Sequence, residues 1–414
     1  MRQVLILIDA FNLRYINEKT TPFLYKQRTI NRSHDYVVPS GGFCERTEVL
    51  FGLKSKDSDF FTAFGLNSPT TNHSLFLLFV ENVLKFSSNL IANFSGKNAF
   101  QINRFLRKNF SKFTLDFFGR IKLRKFNFPL HILPKLILTE DSIDLLSENK
   151  INGKVSLIHL IESRGGLVDK TMFTSLSDTQ SESDFQKLER LISVMKNTEV
   201  QFAPVYLSAI DTVGHKSGPN SSEMKNQLFQ LDTKLRTAVN ALKEQDPDLR
   251  IIILGDHGMS EVIDYVDAQT ELKGLSRQLN LTRGVDFEYF LDSTMLRVWF
   301  LNEYAQEKMQ LELLNTEVFL TKGFFLDEST ILKYDLSKRK DLYGDLIWWC
   351  NNGVVISPDF FRSEIEIKGM HGYLPKTDDT YGTCIIIGED SAESSVKIEL
   401  TDIYEIINEI NIKK

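Results

Sequence analysis

The chain has 414 residues, 42% of them hydrophobic, which is enough for one large domain with an insertion or for two packed domains. A formal net charge of −6 does not suggest a general polyanion binder, so no specific nucleic-acid binding is expected. Charged residues make up 25%, as in ordinary soluble proteins, and no run approaches the about 18 apolar residues of a membrane span.

The first element is the apolar run Val4 to Ile8, which ends on Asp9. It is too short for a secretory h-region, and no cleavage site follows it. Cys44, Cys350 and Cys384 have no CxxC spacing, and three distant cysteines make no disulfide framework. A reducing compartment fits them, and the chain reads as a soluble cytoplasmic protein. A continuous apolar run of this kind predicts a strand covered on both faces, as in a parallel sheet.

Residues 66–165 differ from the rest. From Val83 to Leu136 there are eleven Lys and Arg against one acidic residue, Asp116, with ten Phe interleaved. This predicts a helical insertion or cap near the site. Its Phe side chains either form the core of a helix pair or make a basic, aromatic surface for an anionic or lipid-linked substrate. Residues 175–184 are mostly polar and read as a loop.

Two later segments repeat the form of the first strand. Pro204 to Ile210 runs into Asp211, and Ile251 to Leu254 runs into Gly255-Asp256-His257. Between them Leu228, Leu231, Leu235, Val239 and Leu242 keep helical spacing, with Ser221 and Ser222 as candidate N-caps. Strand, helix and strand make a βαβ unit, so an α/β sheet is expected. Leu400 to Ile410 reads as an amphipathic helix packed on the domain.

The chemistry-bearing residues fall at the ends of these strands, where α/β proteins hold ligands. Asp9 follows the first. Asp211-Thr212-Val213-Gly214-His215 places a carboxylate and an imidazole four residues apart, with Gly214 allowing a turn between them and Lys216 to Pro219 closing a loop. Gly255-Asp256-His257-Gly258-Met259 sets adjacent Asp and His between glycines. His371 stands in a further glycine-bounded stretch, Gly369 to Tyr373. Mixed His and carboxylate donors favour Zn²⁺ or a similar transition ion over Mg²⁺ or Ca²⁺. Three carboxylates and three imidazoles suffice for two three-ligand sites, and two ions about 4 Å apart can hold the attacking and leaving oxygens of an in-line displacement.

In this order, Asp9, Asp211-x3-His215, Asp256-His257-Gly258-Met259 and His371-Gly372 resemble the alkaline phosphatase superfamily, and within it the type I phosphodiesterases and nucleotide pyrophosphatases. Asp211 to Pro219 and Gly255 to Met259 are especially similar to that branch, while residues 66–165 are not. The resemblance implies a three-layer α/β/α sandwich, with a catalytic domain over residues 1–65 and 166–414 and a helical insertion over 66–165. It further implies one ion on Asp211, His215 and His371 and another on Asp9, Asp256 and His257. The ions would be zinc, or in some members manganese. A side-chain nucleophile would attack phosphorus, and water would release the product.

One segment departs from the pattern. The family's nucleophile is a Thr or Ser at a helix N-terminus, about 30 to 40 positions after the first Asp, where the helix dipole favours phosphate. The matching stretch here is Pro39 to Leu53, and an ungapped overlay puts Gly42 in the nucleophile position. Cys44 ranks first as a substitute, because it follows a glycine pair at the expected helix start. Ser40 and Thr47 come next. Arg46 and Glu45 are candidates for contacts to phosphate oxygen and the metal shell. The formylglycine signature of sulfatases is absent.

The expected activity is hydrolysis of a phosphodiester or pyrophosphate bond in a small phosphate ester, a nucleotide or a nucleotide-sugar. The basic, Phe-rich insertion leaves a lipid-linked phosphate open. The alternatives are a phosphomonoesterase or phosphotransferase on the same site, or a metal-binding pseudoenzyme or sensor without a nucleophile.

Overall fold

In the computed structural model, which describes residues 2–67, 72–95, 102, 105–106, 128–140, 145–173, 182–361 and 366–409, the opening run is strand β1 (Gln3–Ile8). Its residues Val4 to Ile8 are all fully buried. β1 lies inside a seven-stranded sheet with β2 (Asn31–Val38), β3 (Leu167–Val168), β4 (Val200–Leu207), β5 (Arg250–Gly255), β6 (Gly382–Asp390) and β7 (Ser395–Glu399). The spatial order is β7-β2-β6-β5-β1-β4-β3. β1 runs parallel to β4 and β5, β3 parallel to β4, and β7 parallel to β2, while β6 is antiparallel to both neighbours.

Alternate residues of β1 enter two separate cores, because successive side chains of a strand point to opposite faces. Val4, Ile6 and Ile8 pack with helix residues Leu24, Leu188, Leu191, Leu228, Leu231 and Leu235. Leu5 and Leu7 pack with Val49, Leu50 and Phe51 of α1 (Glu45–Phe51) and with the C-terminal helix (Asp402–Asn408). Each buried aliphatic side chain contributes roughly 1.5–3 kcal/mol. Both faces are therefore covered, and the three-layer α/β/α arrangement follows. The helix read from Leu228 to Leu242 is Ser222–Gln245, and Ser221 caps it by accepting from the Met224 N–H at 3.0 Å. The loop expected at 175–184 lies mostly outside the described residues, and Ser183 caps the helix Asp184–Val194.

A second core was not legible in the sequence. A four-stranded antiparallel sheet of Phe287–Leu291, Met295–Phe300, Leu346–Cys350 and Gly323–Phe325 lies between the Asp256 and His371 motifs in the chain. Its strands are buried on both faces, so they lack polar alternation; even Arg297 is fully buried, donating to Asp292 at 2.6 Å. The described parts of the predicted insertion divide between cores. Leu77 of α2 (Asn72–Ser95), Leu130 and Leu136 join this second core. Ile151, Leu157 and Ile161 join the central sheet instead.

α2 is tied down by a buried charge network. His131 Nδ1 lies 3.0 Å from Glu81 of α2, its Nε2 lies 3.0 Å from Glu288, and Arg283 donates to Glu288 at 2.6 Å. Burial works against the imidazolium, but the two carboxylates outweigh it and raise the His131 pKa, while Arg283 opposes them. Lys135 is buried close to Glu288 and carries a lowered pKa from desolvation. A histidine whose folded pKa exceeds its unfolded value stabilises fully below the unfolded pKa, near 6.5, and loses that contribution as pH rises through the folded pKa. His131→Gln should therefore lower the unfolding free energy most below about pH 6, by on the order of 3 kcal/mol, and progressively less as pH rises. Denaturant titrations of both proteins across pH check this. A difference that grows with pH would contradict it.

Candidate active site

The register of the central sheet assembles the site. Ile8, Leu207 and Gly255 pair across β4-β1-β5, so Asp9 and Asp256 emerge side by side at the carboxyl ends of adjacent strands. Gly255 is required there, since a Cβ would stand 1.7 Å from the Phe11 carbonyl oxygen. Beyond β4 the structure corrects an expectation. Ala209–Ser217 forms a helix, α3, where a turn and loop were read around Gly214. Asp211 and His215 therefore share one helix face as an i, i+4 pair.

The six predicted residues gather into the two expected groups. Donor atoms of Asp211, His215 and His371 lie within 4.8 Å of one another, and so do those of Asp9, Asp256 and His257. The groups abut, with the rings of His257 and His371 stacked at 4.2 Å between centroids. His215 Nδ1 donates to the Gly369 carbonyl and His257 Nδ1 to the Gly258 carbonyl, each at 2.9 Å. A carbonyl only accepts, so a neutral imidazole presents its Nε2 lone pair inward in both cases.

These lone pairs face carboxylate oxygens. Asp211 Oδ1 lies 3.2 Å from His215 Nε2 and 3.5 Å from His371 Nε2, is buried, and accepts no hydrogen bond. His257 Nε2 lies 3.1 Å from Asp9 Oδ1. Acceptors converge in this way around a cation, and the donor set suits a divalent transition ion. The residues thus fit two metal ions.

In their own field these groups are mutually perturbed. Burial pushes the Asp256 carboxyl up to about 7, and Asp9 beside it adds to the rise. Burial opposes charge on His257, yet Asp256, Asp9 and Glu45 hold its pKa well above the usual value. His215 and His371 hold Asp211 below the carboxylate range against the effect of burial.

A small cleft meets each group through one histidine, His257 or His371. Its lining includes Ser40, Gly42, Glu45, His257, Ser260 and His371. The Ser40 N–H donates to both Glu48 carboxylate oxygens, at 3.0 and 3.1 Å. The Ser40 hydroxyl is buried beside the same carboxylate and makes no well-formed hydrogen bond. Gly42 has a positive φ of 116°, and a Cβ there would meet the Phe61 carbonyl oxygen at 2.0 Å. Glycine at that position is thus a backbone requirement of the turn into α1.

The other candidates of this segment are placed differently. Cys44 is the N-cap residue of α1, buried near the Tyr343 hydroxyl, whose pKa it helps burial to raise. Thr47 is fully buried, and its N–H and hydroxyl both donate to Glu140 Oε1 at 2.6 Å. Arg46 is buried 3.8 Å from Glu140 and over the Tyr206 ring. Glu45 faces the cleft, and burial pushes its pKa to about 8, with Asp256 adding and His257 opposing.

Tyr206, Glu48 and Glu140 were missed. The Tyr206 hydroxyl donates to Asp9 Oδ2, holding that carboxylate in place. The available signal was a lone phenol in an aliphatic strand, which needs a partner when buried. Glu48 and Glu140 gave none, because the helix-forming pattern of 45–51 does not say which face is buried.

Fold and site together define a protein of the alkaline phosphatase superfamily. Residues 146–374, more than half of the chain, match the type I phosphodiesterase / nucleotide pyrophosphatase family, and the chain belongs to that family. Solved relatives include murine ectonucleotide pyrophosphatase / phosphodiesterase 5, with a TM-score of 0.67 and 13% identity over 99% of this chain and 95% of that one. Among curated proteins, the human GPI ethanolamine phosphate transferase 2 catalytic subunit is 30% identical over 95 residues. The venom phosphodiesterase of Naja atra is 26% identical over 118 residues. Those stretches cover 22% and 28% of this chain but only 10% and 13% of the two proteins.

Proposed function

We propose that the protein is a phosphoric ester hydrolase that cleaves a phosphodiester or pyrophosphate bond with two divalent metal ions, zinc or manganese. The observation that carries this reading is the pair of three-residue donor groups abutting through His257 and His371, both of which line one cleft. Asp211, His215 and His371 would hold one ion, and Asp9, Asp256 and His257 the other. When bound, such ions polarise a phosphoryl oxygen and lower the pKa of an attacking group.

The chain's own residues supply position and a nucleophile. Ser40 is the group we assign to attack. Ser40 lines the cleft with its hydroxyl beside the Glu48 carboxylate, whereas Thr47 is bound to Glu140 and Cys44 lies by Tyr343. Glu48 fixes the Ser40 backbone. The Ser40 Oγ–P bond would form as the P–O bond to the leaving group breaks, with the hydroxyl proton passing to the departing oxygen; water would then cleave the Oγ–P bond, restoring the Ser40 hydroxyl and releasing the phosphomonoester. His215 and His257 are held in one tautomer by backbone carbonyls, so neither reorganises during turnover.

A small nucleotide or related phosphate ester is the proposed substrate, supported by an inactive form of the murine relative that was solved in complex with AMP. A cytoplasmic location is proposed on the three cysteines, none of them in a disulfide.

Protein loaded with zinc or manganese should hydrolyse bis-p-nitrophenyl phosphate faster than the p-nitrophenyl monoester, and chelation should abolish both activities. A monoester preference would shift the assignment to a phosphomonoesterase. No turnover of any ester with both sites filled would leave a metal-binding pseudoenzyme.

A further inference from the structure

Helix α2 is apolar on two faces. One packs inward through Leu77, Val80 and Leu84. The other presents Phe76, Phe79, Val83, Phe86 and Leu90 to solvent, each between 44% and 70% exposed. Their spacing of three and four residues makes one unbroken stripe, about 21 Å long at the helical rise. A continuous exposed apolar stripe of this kind marks an interaction surface.

The exposed charges of α2 and of the helix next to it in the chain's basic cluster are mainly positive, although Asp267 lies among them. Lys85 is exposed on α2, and Lys273 and Arg277 are exposed on the helix Ala268–Gln278. Burial and the nearby Lys85, Arg283 and Arg277 lower the pKa of Lys273 against the opposing Asp267, so these cations share one neighbourhood with one carboxylate. The one acidic residue of α2, Glu81, is turned to His131. The chain that follows continues the bias, with nine Lys and Arg against one Asp over residues 96–127.

A second copy of the chain does not suit this face. A two-fold interface would set each basic cluster near its own duplicate. No described helix is long and apolar enough to cross a membrane. We propose that this face of α2 docks the protein onto a bilayer surface containing anionic lipid, with the phenylalanines in the interface and Lys85, Lys273 and Arg277 on the headgroups. Apolar insertion and headgroup attraction combine in such amphipathic helices.

Flotation of the whole chain with vesicles tests this, using phosphatidylcholine alone and phosphatidylcholine with roughly one third phosphatidylglycerol. Binding should be at least about tenfold tighter to the anionic vesicles and should weaken at high salt. The Phe79→Ser/Phe86→Ser double variant should lose at least about tenfold in binding, with thermal unfolding and hydrolysis of a soluble ester unchanged. Absence of wild-type binding, or equal binding by the variant, would overturn the proposal. So would self-association that the variant abolishes in a protein that ignores vesicles.

Discussion

Ser40→Ala is expected to lower kcat/KM for a phosphodiester by about three orders of magnitude or more, because it removes the hydroxyl proposed to attack phosphorus. Cys44→Ala and Thr47→Ala should each stay within about tenfold of wild type on the same substrate, since neither then contributes a bond in the transition state. The Thr47 variant would lose stability instead, as it leaves the buried Glu140 carboxylate short of a donor. The comparison is decisive because the three residues share one short segment around α1, so a general disturbance of that turn would affect all three alike. Full activity in Ser40→Ala with loss in Cys44→Ala would reverse the assignment.

His257→Ala and His371→Ala should each reduce turnover by about two to three orders of magnitude. Polarisation of the phosphoryl group by a metal is worth several kcal/mol, and each tenfold in rate corresponds to about 1.4 kcal/mol. The two losses should not add in the double variant. The rings stack at 4.2 Å and would serve one proposed two-ion unit, so losing either ion would disable the same step. Steady-state rates of the two single variants and the double variant check this, and fully additive losses would mean that the two groups act independently.

The central sheet was readable because fully buried parallel strands leave unbroken apolar runs. Val4 to Ile8 and Ile251 to Leu254 could hardly be anything else, and a carboxylate at the strand end, Asp9 directly after the first run and Asp256 one glycine after the second, marks where each stops. The donors were readable for the same reason: parallel neighbours in register bring their ends together, so Asp9 and Asp256 meet without further information. Asp211 and His215 do come together as a pair, although the local conformation was misread. Four residues span one helical turn as well as they span a loop, and Gly214 serves close packing on Met259 rather than a turn.

Less could be read where burial hides pattern. The antiparallel sheet around Trp348 and Arg297 has polar residues inside and apolar residues on both faces, so neither period appears. The segment from Ser40 to Thr47 offered three nucleophilic side chains at plausible spacings. Only the direction of each side chain separates them, and direction depends on Phe61 forcing Gly42 into a positive φ and on Glu140 capturing Thr47. Neither partner is near that segment in sequence.

The most direct test of the account is the number of metal ions per chain, measured by mass spectrometry after loading with zinc and removal of excess. Two ions are expected in the wild-type protein and about one in each of His257→Ala and His371→Ala, because each substitution removes one of three protein donors from one group. Two ions retained in both variants, or none in the wild-type protein, would contradict it.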